Sequence, residues 1–420
     1  MRILFLSHYF PPEVNAPAVR TFEHCREWVR RGHEVHVVTC VPNHPQGKVY
    51  DGYRSSLATQ HENMNGIHVH RVWTYVAANE GIVKRTLGYL SYMLSAPLAA
   101  TKVPRPDIVV ATSPQFFCAC AGFLSSKLVR RPWVFELRDI WPESLVAVGA
   151  IRSKAVVRLL GALELRLYND AAAVVAVTGA FREYLVGRGV DAAKITVIPN
   201  GIDFEAWDGT DAKQARAHFH PDSKFVVSYV GTHGMAHNLE TLLEAAKMLR
   251  DDADIQFVTV GDGAELKKLQ RIRDEWHLAN VTLVGQVSHE TAKAYLLASD
   301  VSVVLLRKTP LFKTVLPSKI FEAMAAQSPI ILGVDGEARR IVEEAGAGIC
   351  VEPENARQLA AAILRLKSDA ALRRRLGENG LRAARDKFDR KVMAVRMLEV
   401  MGAARGRGGK TVGTSPAEES

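Results

Sequence analysis

The sequence predicts an α/β protein built from two doubly wound, Rossmann-like domains that face each other across a cleft. Segments typical of buried strands alternate with segments typical of helices over most of the chain, and this alternation indicates parallel sheets covered by helices. A chain of 420 residues is also too long for one ordinary hydrophobic core. Because the alternation restarts after residues 199–203, we expect domains over residues 1–199 and 200–385.

Short apolar runs bounded by glycine, proline or polar residues mark the expected strands. They lie at residues 3–7, 34–39, 67–73, 108–111, 133–136, 173–177 and 195–198, and then at residues 224–230, 255–260, 281–284, 301–306, 329–332 and 348–351. A helix over residues 386–401 is expected to return to the first domain. Residues 402–420 are rich in glycine, serine, threonine and charge and lack aromatic side chains, so we expect them to be disordered.

Charge is distributed unevenly along the chain. Residues 1–200 contain 23 lysine and arginine residues against 15 acidic ones, whereas residues 201–420 contain 31 against 30. A basic first half suggests an anionic partner, and phospholipid headgroups, a lipid pyrophosphate and nucleic acid all qualify. A merely soluble surface is the alternative. Nucleic acid is disfavoured, because the basic residues are not interleaved with aromatic side chains that could stack on bases.

The cysteines and the chain start bear on the cellular compartment. The cysteines are odd in number and scattered, at Cys25, Cys40, Cys118, Cys120 and Cys350, so we expect reduced, cytosolic thiols and no metal site. The apolar run at residues 1–6 is too short for a signal peptide and reads as a first strand. No segment has the roughly 18 consecutive apolar residues of a membrane span.

The segment at residues 316–326 carries the most specific chemical signal. It follows the buried run 301–306 and reads as a loop and then a helix opened by Pro317 and Ser318. The first amides of such a helix suit a phosphate group. Glu322 lies one turn after Ser318 on the same face, where its carboxylate could accept hydrogen bonds from sugar hydroxyls. This arrangement would hold a nucleotide-sugar.

Glycines follow three successive strands of the second domain. Gly231 ends the first, Gly261 and Gly263 follow the second, and Gly285 follows the third. Glycine at a strand end lets the backbone approach a ligand, and ligands of such sheets bind at the carboxyl ends of the strands. Three glycine-ended strands therefore favour a ligand crevice over three independent turns.

Together these motifs resemble a retaining glycosyltransferase of family 4, with the two-domain GT-B fold. The resemblance covers roughly residues 1–400. In the second domain it rests on Gly231 and on residues 261–263, 284–285, 322–325 and 346–348, and in the first on residues 32–35 and 198–203. Residues 9–13, 41–45 and 138–144 are similar to a bacterial subgroup that builds surface polysaccharides, including N-acetylfucosaminyl transferases that act on lipid-linked acceptors.

The resemblance implies transfer of a sugar from a nucleotide diphosphate donor, usually a UDP-sugar, with retention at the anomeric carbon. No metal or other cofactor is implied, since the nucleotide-sugar is a co-substrate. The donor would lie on the second domain, with Glu322 on the ribose hydroxyls and the amides near Pro317 and Ser318 on the diphosphate. A polyprenyl-linked saccharide acceptor would lie on the first. Such an enzyme would work in the cytoplasm, peripheral to the inner face of the cytoplasmic membrane.

The chain departs from the family pattern at four places. The first of the family's two glutamates eight residues apart, its Arg and Lys after the second-domain glycine, its Gly-Gly in the first loop and its histidine after the fifth strand are replaced. The replacing residues are Thr314, Thr232 with His237, Asn15 with Ala16, and Arg138. Thr314 suggests altered hydroxyl recognition, and hence a deoxy or N-acetylated sugar.

A leaving diphosphate still needs a cation in a water-poor site. Lys319 is the leading candidate, because a lysine in the first turn of a helix opposes the helix dipole unless an anion lies nearby. Arg138 is the second candidate. His237 could contribute if it is protonated, although a surface histidine is the alternative. Asp139 could accept the acceptor's proton, or it could be an ordinary loop or N-cap aspartate.

The remaining acceptor-side candidates are in the first domain. His8 follows the first strand, where a ligand-contacting residue or a packed histidine could lie. Glu13 and Arg20 are weaker candidates, and Trp141 would shape a wall of the site rather than react.

One helical stretch raises the question of membrane contact. Lys84 and Arg85 precede an apolar stretch over residues 87–98 that is too short to span a bilayer. It could lie in the membrane interface, or it could be a buried core helix. The helix over residues 156–167 offers a second basic surface, with the nearby residues Lys154, Arg158 and Arg166.

Two other functions share this fold and remain open. A UDP-N-acetylglucosamine 2-epimerase would turn over a UDP-sugar without an acceptor, but the basic first domain and the joint at residues 200–203 argue against it. A nucleotide-sugar-binding subunit without catalysis would account for the four departures.

Overall fold

The computed structural model describes residues 1–44, 47–76, 81–142, 153–207, 215–216 and 224–408. The last positions of two predicted motifs, Pro45 and Glu143 with Ser144, and residues 409–420 of the predicted tail lie outside this part of the chain. The protein folds as two compact α/β units. The first comprises Met1–Pro199 and the chain from Lys391 onward, and the second comprises Asn200–Arg390.

The first unit is built on an eight-stranded sheet in the order β3-β4-β2-β1-β5-β6-β7-β8. Its strands are β1 (Arg2–Leu6), β2 (Glu34–Cys40), β3 (Gln60–Met64), β4 (Ile67–Val72), β5 (Ile108–Thr112), β6 (Trp133–Leu137), β7 (Ala173–Ala176) and β8 (Ile195–Val197). All neighbours pair in parallel except β3, which runs antiparallel to β4. The sequence analysis missed β3 because its residues are almost all polar, as suits an exposed edge strand.

Helices cover both faces of this sheet. They are α1 (Ala16–Arg30), α2 (Gly81–Ala100), α3 (Phe116–Val129), α4 (Lys154–Asp170) and α5 (Gly179–Gly187). The central strands are buried on both faces, as in β5 and β6, which is why they read as continuous apolar runs in the sequence. No helix of the described residues is long and apolar enough to cross a membrane.

The second unit has a six-stranded, all-parallel sheet in the order β11-β10-β9-β12-β13-β14. Its strands are β9 (Phe225–Val230), β10 (Ile255–Val260), β11 (Val281–Gly285), β12 (Val301–Leu305), β13 (Ile330–Gly333) and β14 (Gly348–Cys350). Its helices are α6 (Glu240–Met248), α7 (Leu266–Glu275), α8 (His289–Leu297), α9 (Lys319–Ala325), α10 (Glu337–Ala345), α11 (Ala356–Ser368) and α12 (Ala370–Lys387).

The last helix corrects the predicted disorder of residues 402–408. α13 (Arg390–Gly408) continues seven residues past the predicted helix end at 401. Met401 and Ala404 are buried in the core of the first unit, and Arg405 lies 3.8 Å from the Asp107 carboxylate. Composition alone predicted disorder because it does not show that this segment packs on a sheet.

Each sheet reverses its strand order at one place, between β1 and β5 in the first unit and between β9 and β12 in the second. At such a switch the loops on either side leave in opposite directions and open a crevice at the carboxyl ends of the strands. The functional residues of each unit are therefore expected directly after these four strands.

Burial of α13 should contribute to the stability of the first unit. Met397 is fully buried in its core, so Met397→Ala should lower the free energy of unfolding by about 2–5 kcal/mol. Val392 on the same helix is 45% exposed, so Val392→Ala should change it by less than about 0.5 kcal/mol. Urea unfolding followed by circular dichroism measures both. Equal effects would show that the helix is not docked.

Candidate functional site

In the second unit, the loop after β9 begins with a glycine that makes room for a lysine. Gly231 has φ +138°, and a Cβ atom at this position would lie 2.1 Å from Cε and 2.7 Å from Nζ of Lys319. Any side chain at position 231 would therefore clash with Lys319 unless the lysine moved away. The Nζ atom also lies 5.3 Å from the centroid of the Tyr229 ring, within range of a cation–π interaction. The sequence predicted both residues as site residues but not their contact.

Burial tunes the charge of this lysine. It lowers the pKa of Lys319 to about 8, against an opposing effect of the Glu322 carboxylate. The ammonium form therefore still predominates at pH 7. Burial also lowers the pKa of His237 to about 4, and the charge of Lys319 adds to this effect. The expectation that His237 could act as a cation is thus corrected: its imidazole is neutral at pH 7 because it is half-buried beside an ammonium group.

A second histidine, which the sequence analysis did not single out, lies in the same place. His233 is fully buried, and its Nε2 lies 3.0 Å from the Thr259 hydroxyl. Burial lowers the pKa of His233, and Lys319 lowers it further. Both histidines near the ammonium group are therefore uncharged at pH 7, which leaves Lys319 as the cation of this cluster.

The glycines after β9 and β10 pack against backbone. A Cβ atom at Gly261 would lie 2.1 Å from the carbonyl oxygen of Gly231, and one at Gly263 would lie 2.5 Å from that of His233. Backbone hydrogen bonds of 2.8 Å join Gly231 to Val260, and Gly261 to Gly285. The strand ends are thus held in close mutual contact, which gives these glycines a structural reason of their own. Gly285 differs, since no atom lies within 4 Å of its Cβ position.

The helix after β12 places Glu322 one turn from the start. Ile320, Phe321 and Met324 are buried, as the sequence analysis expected, while Pro317 and Ser318 are half-buried just before the helix. Ser318 makes no side-chain cap hydrogen bond.

Two further basic side chains, which were not predicted from the sequence, lie near Glu322. Besides Lys319, its charge acts on His289 and Lys293 of α8, the helix that packs against α9. Burial lowers the pKa of both groups, and Glu322 partly opposes this effect. Their distance in sequence from the 316–326 segment concealed them.

The other two departures of this unit from the family 4 pattern are Thr232 and Thr314. Thr232 is exposed and Thr314 is half-buried. The carbonyl of Thr232 accepts a hydrogen bond of 2.7 Å from the Tyr229 hydroxyl, so the Lys319-bearing cluster also fixes this loop. The segment that holds Thr314 is packed against the loop after β13, because a Cβ atom at Gly336 would lie 2.1 Å from the carbonyl oxygen of Lys313.

In the first unit, His8, the second residue after β1, lies in a cluster of aromatic rings. The ring of His8 meets those of Tyr9, Tyr89 and Tyr92 edge-on at 5.0, 5.2 and 5.1 Å. Burial lowers the pKa of His8 to about 4, and His44 lowers it further. His8 is therefore a neutral, packed histidine at the carboxyl end of the sheet, in agreement with the packing alternative.

A buried ion-pair cluster lies after β5 and β6. The Glu136 side chain, 1% exposed, bonds the guanidinium of Arg138, itself 4% exposed, and Nη2 of Arg20 lies 3.7 Å from its second oxygen. Burial alone would raise the pKa of Glu136, but Arg138 and Arg20 together lower it. The guanidinium of Arg138 is thus paired with a buried carboxylate inside the first unit, and its role as the second candidate cation for the diphosphate stays a prediction. The acidic residue within the apolar run 133–137 was the unused signal.

The loop after β6 is fixed through Ser113. Its hydroxyl accepts hydrogen bonds from the backbone amides of Arg138 at 2.7 Å and Asp139 at 3.3 Å. The Trp141 ring stacks on Phe116 with centroids 5.4 Å apart and planes 10° apart. Asp139 is half-buried at the carboxyl end of β6, where its carboxylate role stays a prediction.

The loop between β1 and α1 is held by hydrogen bonds. Glu13 is buried, and its Oε1 accepts hydrogen bonds of 2.9 Å from the amides of Asn43 and His44. Burial raises the pKa of Glu13, although these bonds oppose the rise. Asn15 caps α1, with its side-chain oxygen 2.9 Å from the amide of Ala18, and Ala16 is the exposed first residue of that helix. The structure thus gives Asn15 a local role in addition to the predicted one.

The histidine, cysteine and acidic side chains of the described residues form no metal site. The described residues contain no group of three or more histidine, cysteine, aspartate and glutamate side chains that could hold a metal ion. All five cysteines are unpaired. Burial raises the pKa of Cys118 and of Cys120 to about 12, so neither thiol is activated.

Comparison with known proteins connects both units to one class. The sequence model of the glycosyl transferase 4-like domain matches residues 15–201, and that of the group 1 glycosyl transferases matches residues 210–383. A putative colanic acid biosynthesis glycosyl transferase of Escherichia coli, WcaI, is 27% identical over 86% of this chain and 91% of its own. A probable glycosyltransferase of Pseudomonas aeruginosa, WbjE, is 26% identical over 62% of this chain and 66% of its own.

Solved structures share the architecture. The sucrose-phosphate synthase of Thermosynechococcus elongatus superposes with a TM-score of 0.75 at 21% identity, over 95% of this chain and 98% of that one. HepE of Anabaena, solved in complex with UDP, superposes with a TM-score of 0.72 at 19% identity, over 96% of this chain and all of that one.

The two Rossmann-like units and the two domain matches define the chain as a glycosyltransferase enzyme of the GT-B fold. Within that class, the chain belongs to the family 4 glycosyltransferases.

The contact between Gly231 and Lys319 can be tested without a substrate. Gly231→Ala should push the Lys319 side chain toward solvent and return its pKa from about 8 toward its ordinary value of 10.5. Nuclear magnetic resonance titration of ¹³C-dimethylated lysines measures this value, and Lys319→Arg assigns the signal. Gly285→Ala is the matched control, since its φ of +84° brings similar backbone strain but open space. An unchanged pKa in Gly231→Ala would refute the contact.

Proposed function

We propose that this glycosyltransferase moves a sugar from a UDP-sugar to a lipid-linked glycan acceptor, with retention and without a metal, in bacterial surface polysaccharide biosynthesis. The observation that carries the proposal is the Lys319 ammonium group, held against Gly231 at the carboxyl end of β9 and one turn before Glu322. A cation and a carboxylate at one helix start match the two ends of a ribose diphosphate.

The donor role rests on the chemistry of these two side chains. In the proposal, Glu322 accepts hydrogen bonds from the ribose hydroxyls, and Lys319 with the amides near Ser318 binds the diphosphate. The Lys319 ammonium is partly desolvated, which strengthens its interaction with an anion. That a structurally similar protein was solved with UDP supports a uridine nucleotide as the first donor to test.

The proposed reaction is a front-face substitution. The bond between the anomeric carbon and the diphosphate oxygen breaks, the acceptor oxygen forms the new glycosidic bond on the same face, and the acceptor's proton passes to the leaving diphosphate. Lys319 stabilises the charge that develops on the diphosphate. Asp139 hydrogen-bonds the acceptor hydroxyl. No enzyme nucleophile and no metal is required by this scheme.

The biological setting is proposed from the relatives and from the charge of the chain. The Escherichia coli relative is named as a putative glycosyl transferase of colanic acid biosynthesis. The basic first half supports a site at the inner face of the cytoplasmic membrane. Thr314, where the family has a glutamate, supports a deoxy or N-acetylated sugar such as N-acetylfucosamine.

The test is a panel of UDP-sugars offered to the purified protein in EDTA, first for binding and then for UDP release with and without a bacterial lipid-linked acceptor. Acceptor-dependent release in EDTA is expected. Turnover of a UDP-sugar without acceptor would favour an epimerase, and binding without turnover under any acceptor would favour a non-catalytic subunit. If the protein binds none of the UDP-sugars, the donor assignment is refuted.

Glu322 should act on binding more than on turnover. Glu322→Gln should weaken donor binding by about ten- to a hundredfold, since hydrogen bonds to a charged group contribute about 1.5–3 kcal/mol. Isothermal titration calorimetry measures this, with the exposed Glu275→Gln on α7 as control.

Lys319→Ala should instead lower kcat by about 10²–10³, as removal of one charge-stabilising group does. Full activity of Lys319→Ala would refute its catalytic role.

Donor affinity should fall at high pH. The diphosphate binds the protonated form of Lys319, whose pKa is about 8 in the free protein, so the dissociation constant should be about tenfold higher at pH 9 than at pH 7. His237 and His233, with lowered pKa values, stay neutral over this range and cannot cause the change. Lys319→Arg should abolish the pH dependence, because arginine stays protonated. A dependence that survives in Lys319→Arg would assign it to another group.

A further inference from the structure

Exposed aliphatic side chains concentrate on three helices of the first unit. Leu94 and Leu98 of α2 are 64% and 65% exposed, and Leu159 of α4 is 70% exposed. Others on the same helices are Leu87, Leu124, Leu128, Val156 and Leu163. Single exposed leucines are ordinary on protein surfaces, but a contiguous group marks an interaction site.

The three helices make this group continuous. α2 packs against α3, and α3 packs against α4. On α2, Leu87, Leu94 and Leu98 share one helical face, while Tyr92 and Ala96 on the other face are buried. Leu124 and Leu128 of α3 are spaced by one turn. The earlier alternatives for α2, a core helix or an interface helix, therefore each describe one of its faces. We call these exposed side chains of α2, α3 and α4 the leucine face.

The charges around the leucine face are almost all positive. Lys154, Arg158 and Arg166 of α4 are exposed, as are Arg130 after α3 and Lys84 on α2. The sequences of α2 and α3 contain no acidic residue. Of the two acidic residues of α4, Glu164 is buried and bonds Tyr168 and Arg188, and Asp170 is paired with Lys127.

This combination fits an anionic bilayer better than a protein. Leucines bordered by lysine and arginine suit a membrane interface, where the apolar chains enter the acyl boundary and the cations meet lipid phosphates. Protein interfaces, by contrast, are enriched in aromatic side chains at their centre, whereas the most exposed side chains here are the leucines Leu94, Leu98 and Leu159. Tyr75, 42% exposed and bonded through its amide to Ser91 of α2, also suits a membrane interface. A two-fold contact with a second copy would bring two positively charged surfaces together.

The leucine face is linked to the carboxyl end of the first sheet through α2. Tyr89 lies two positions after Leu87, and its ring contacts that of His8, which directly follows β1 and Ser7. One helix therefore carries both exposed leucines and a side chain of the strand-end cluster. A lipid-linked acceptor held in a bilayer would be presented near this end of the unit.

We propose that the leucine face docks the first unit on an anionic lipid bilayer. The inference deepens the proposed function, because it names the surface through which a lipid-linked acceptor would be reached. It predicts binding that needs both the aliphatic side chains and the negative lipid charge.

The experiment is sedimentation of the full chain with vesicles of phosphatidylcholine, alone or mixed with phosphatidylglycerol. Binding is expected to the mixed vesicles and to weaken with salt. The triple variant Leu94→Ser, Leu98→Ser, Leu159→Ser should reduce partitioning by at least about a hundredfold, because three apolar side chains are removed from the acyl boundary together. Lys154→Glu with Arg158→Glu should reduce binding to the mixed vesicles selectively.

The matched control is Val186→Ser, Met248→Ser, Leu364→Ser, which removes three aliphatic side chains with exposures of 39–54% outside the leucine face. It should bind vesicles like the unaltered chain. Circular dichroism and UDP-sugar binding, which depends on the second unit, show whether each variant is folded.

Three outcomes would overturn the inference: equal binding to neutral and mixed vesicles, equal loss in the control variant, or a dimer in light scattering that the leucine variant dissolves. UDP-sugar binding without vesicle binding would defeat this inference and leave the proposed function standing. Vesicle binding without UDP-sugar binding would leave this inference standing and defeat the proposed function.

Discussion

A buried ammonium group is the constraint on which the second unit depends. Lys319 occupies the space that Gly231 leaves empty, beside the Tyr229 ring. Burial of a charge is costly unless something offsets it, and the lowered pKa of Lys319 expresses that cost. The surrounding groups follow from it, because His233 and His237 are kept neutral partly by the same ammonium. An anion at this place would find one concentrated positive charge rather than several dispersed ones.

The charge of Lys319 also bears on the loop after Gly231. Where the resemblance to family 4 implies an arginine and a lysine, this chain has Thr232 and a neutral His237. Further cations there would be repelled by Lys319 at the same strand end. Uncharged side chains at Thr232 and His237 are therefore compatible with Lys319 as the cation of this strand end.

Structural features that depend on the local sequence pattern could be predicted from the sequence. The alternation of strands and helices, the glycines after β9, β10 and β11, and the buried face of α9 all follow from periodicity and residue type. What could not be predicted depends on partners distant in sequence. Glu136 had to be brought beside Arg20 and Arg138 before their pairing could be recognised, and the polar strand β3 forms only because β4 offers it an edge.

The two units treat their charges differently, and this difference carries the functional argument further than the fold does. In the first unit the guanidinium of Arg138 is paired with a buried carboxylate, whereas the basic side chains of α4 remain exposed. In the second unit the ammonium of Lys319 is buried against a backbone and a ring. A buried pair can hold its loop in place, exposed cations suit a large anionic surface, and a desolvated cation suits a small anion. The proposals above accordingly assign positioning, surface attraction and anion binding to three distinct sets of basic residues.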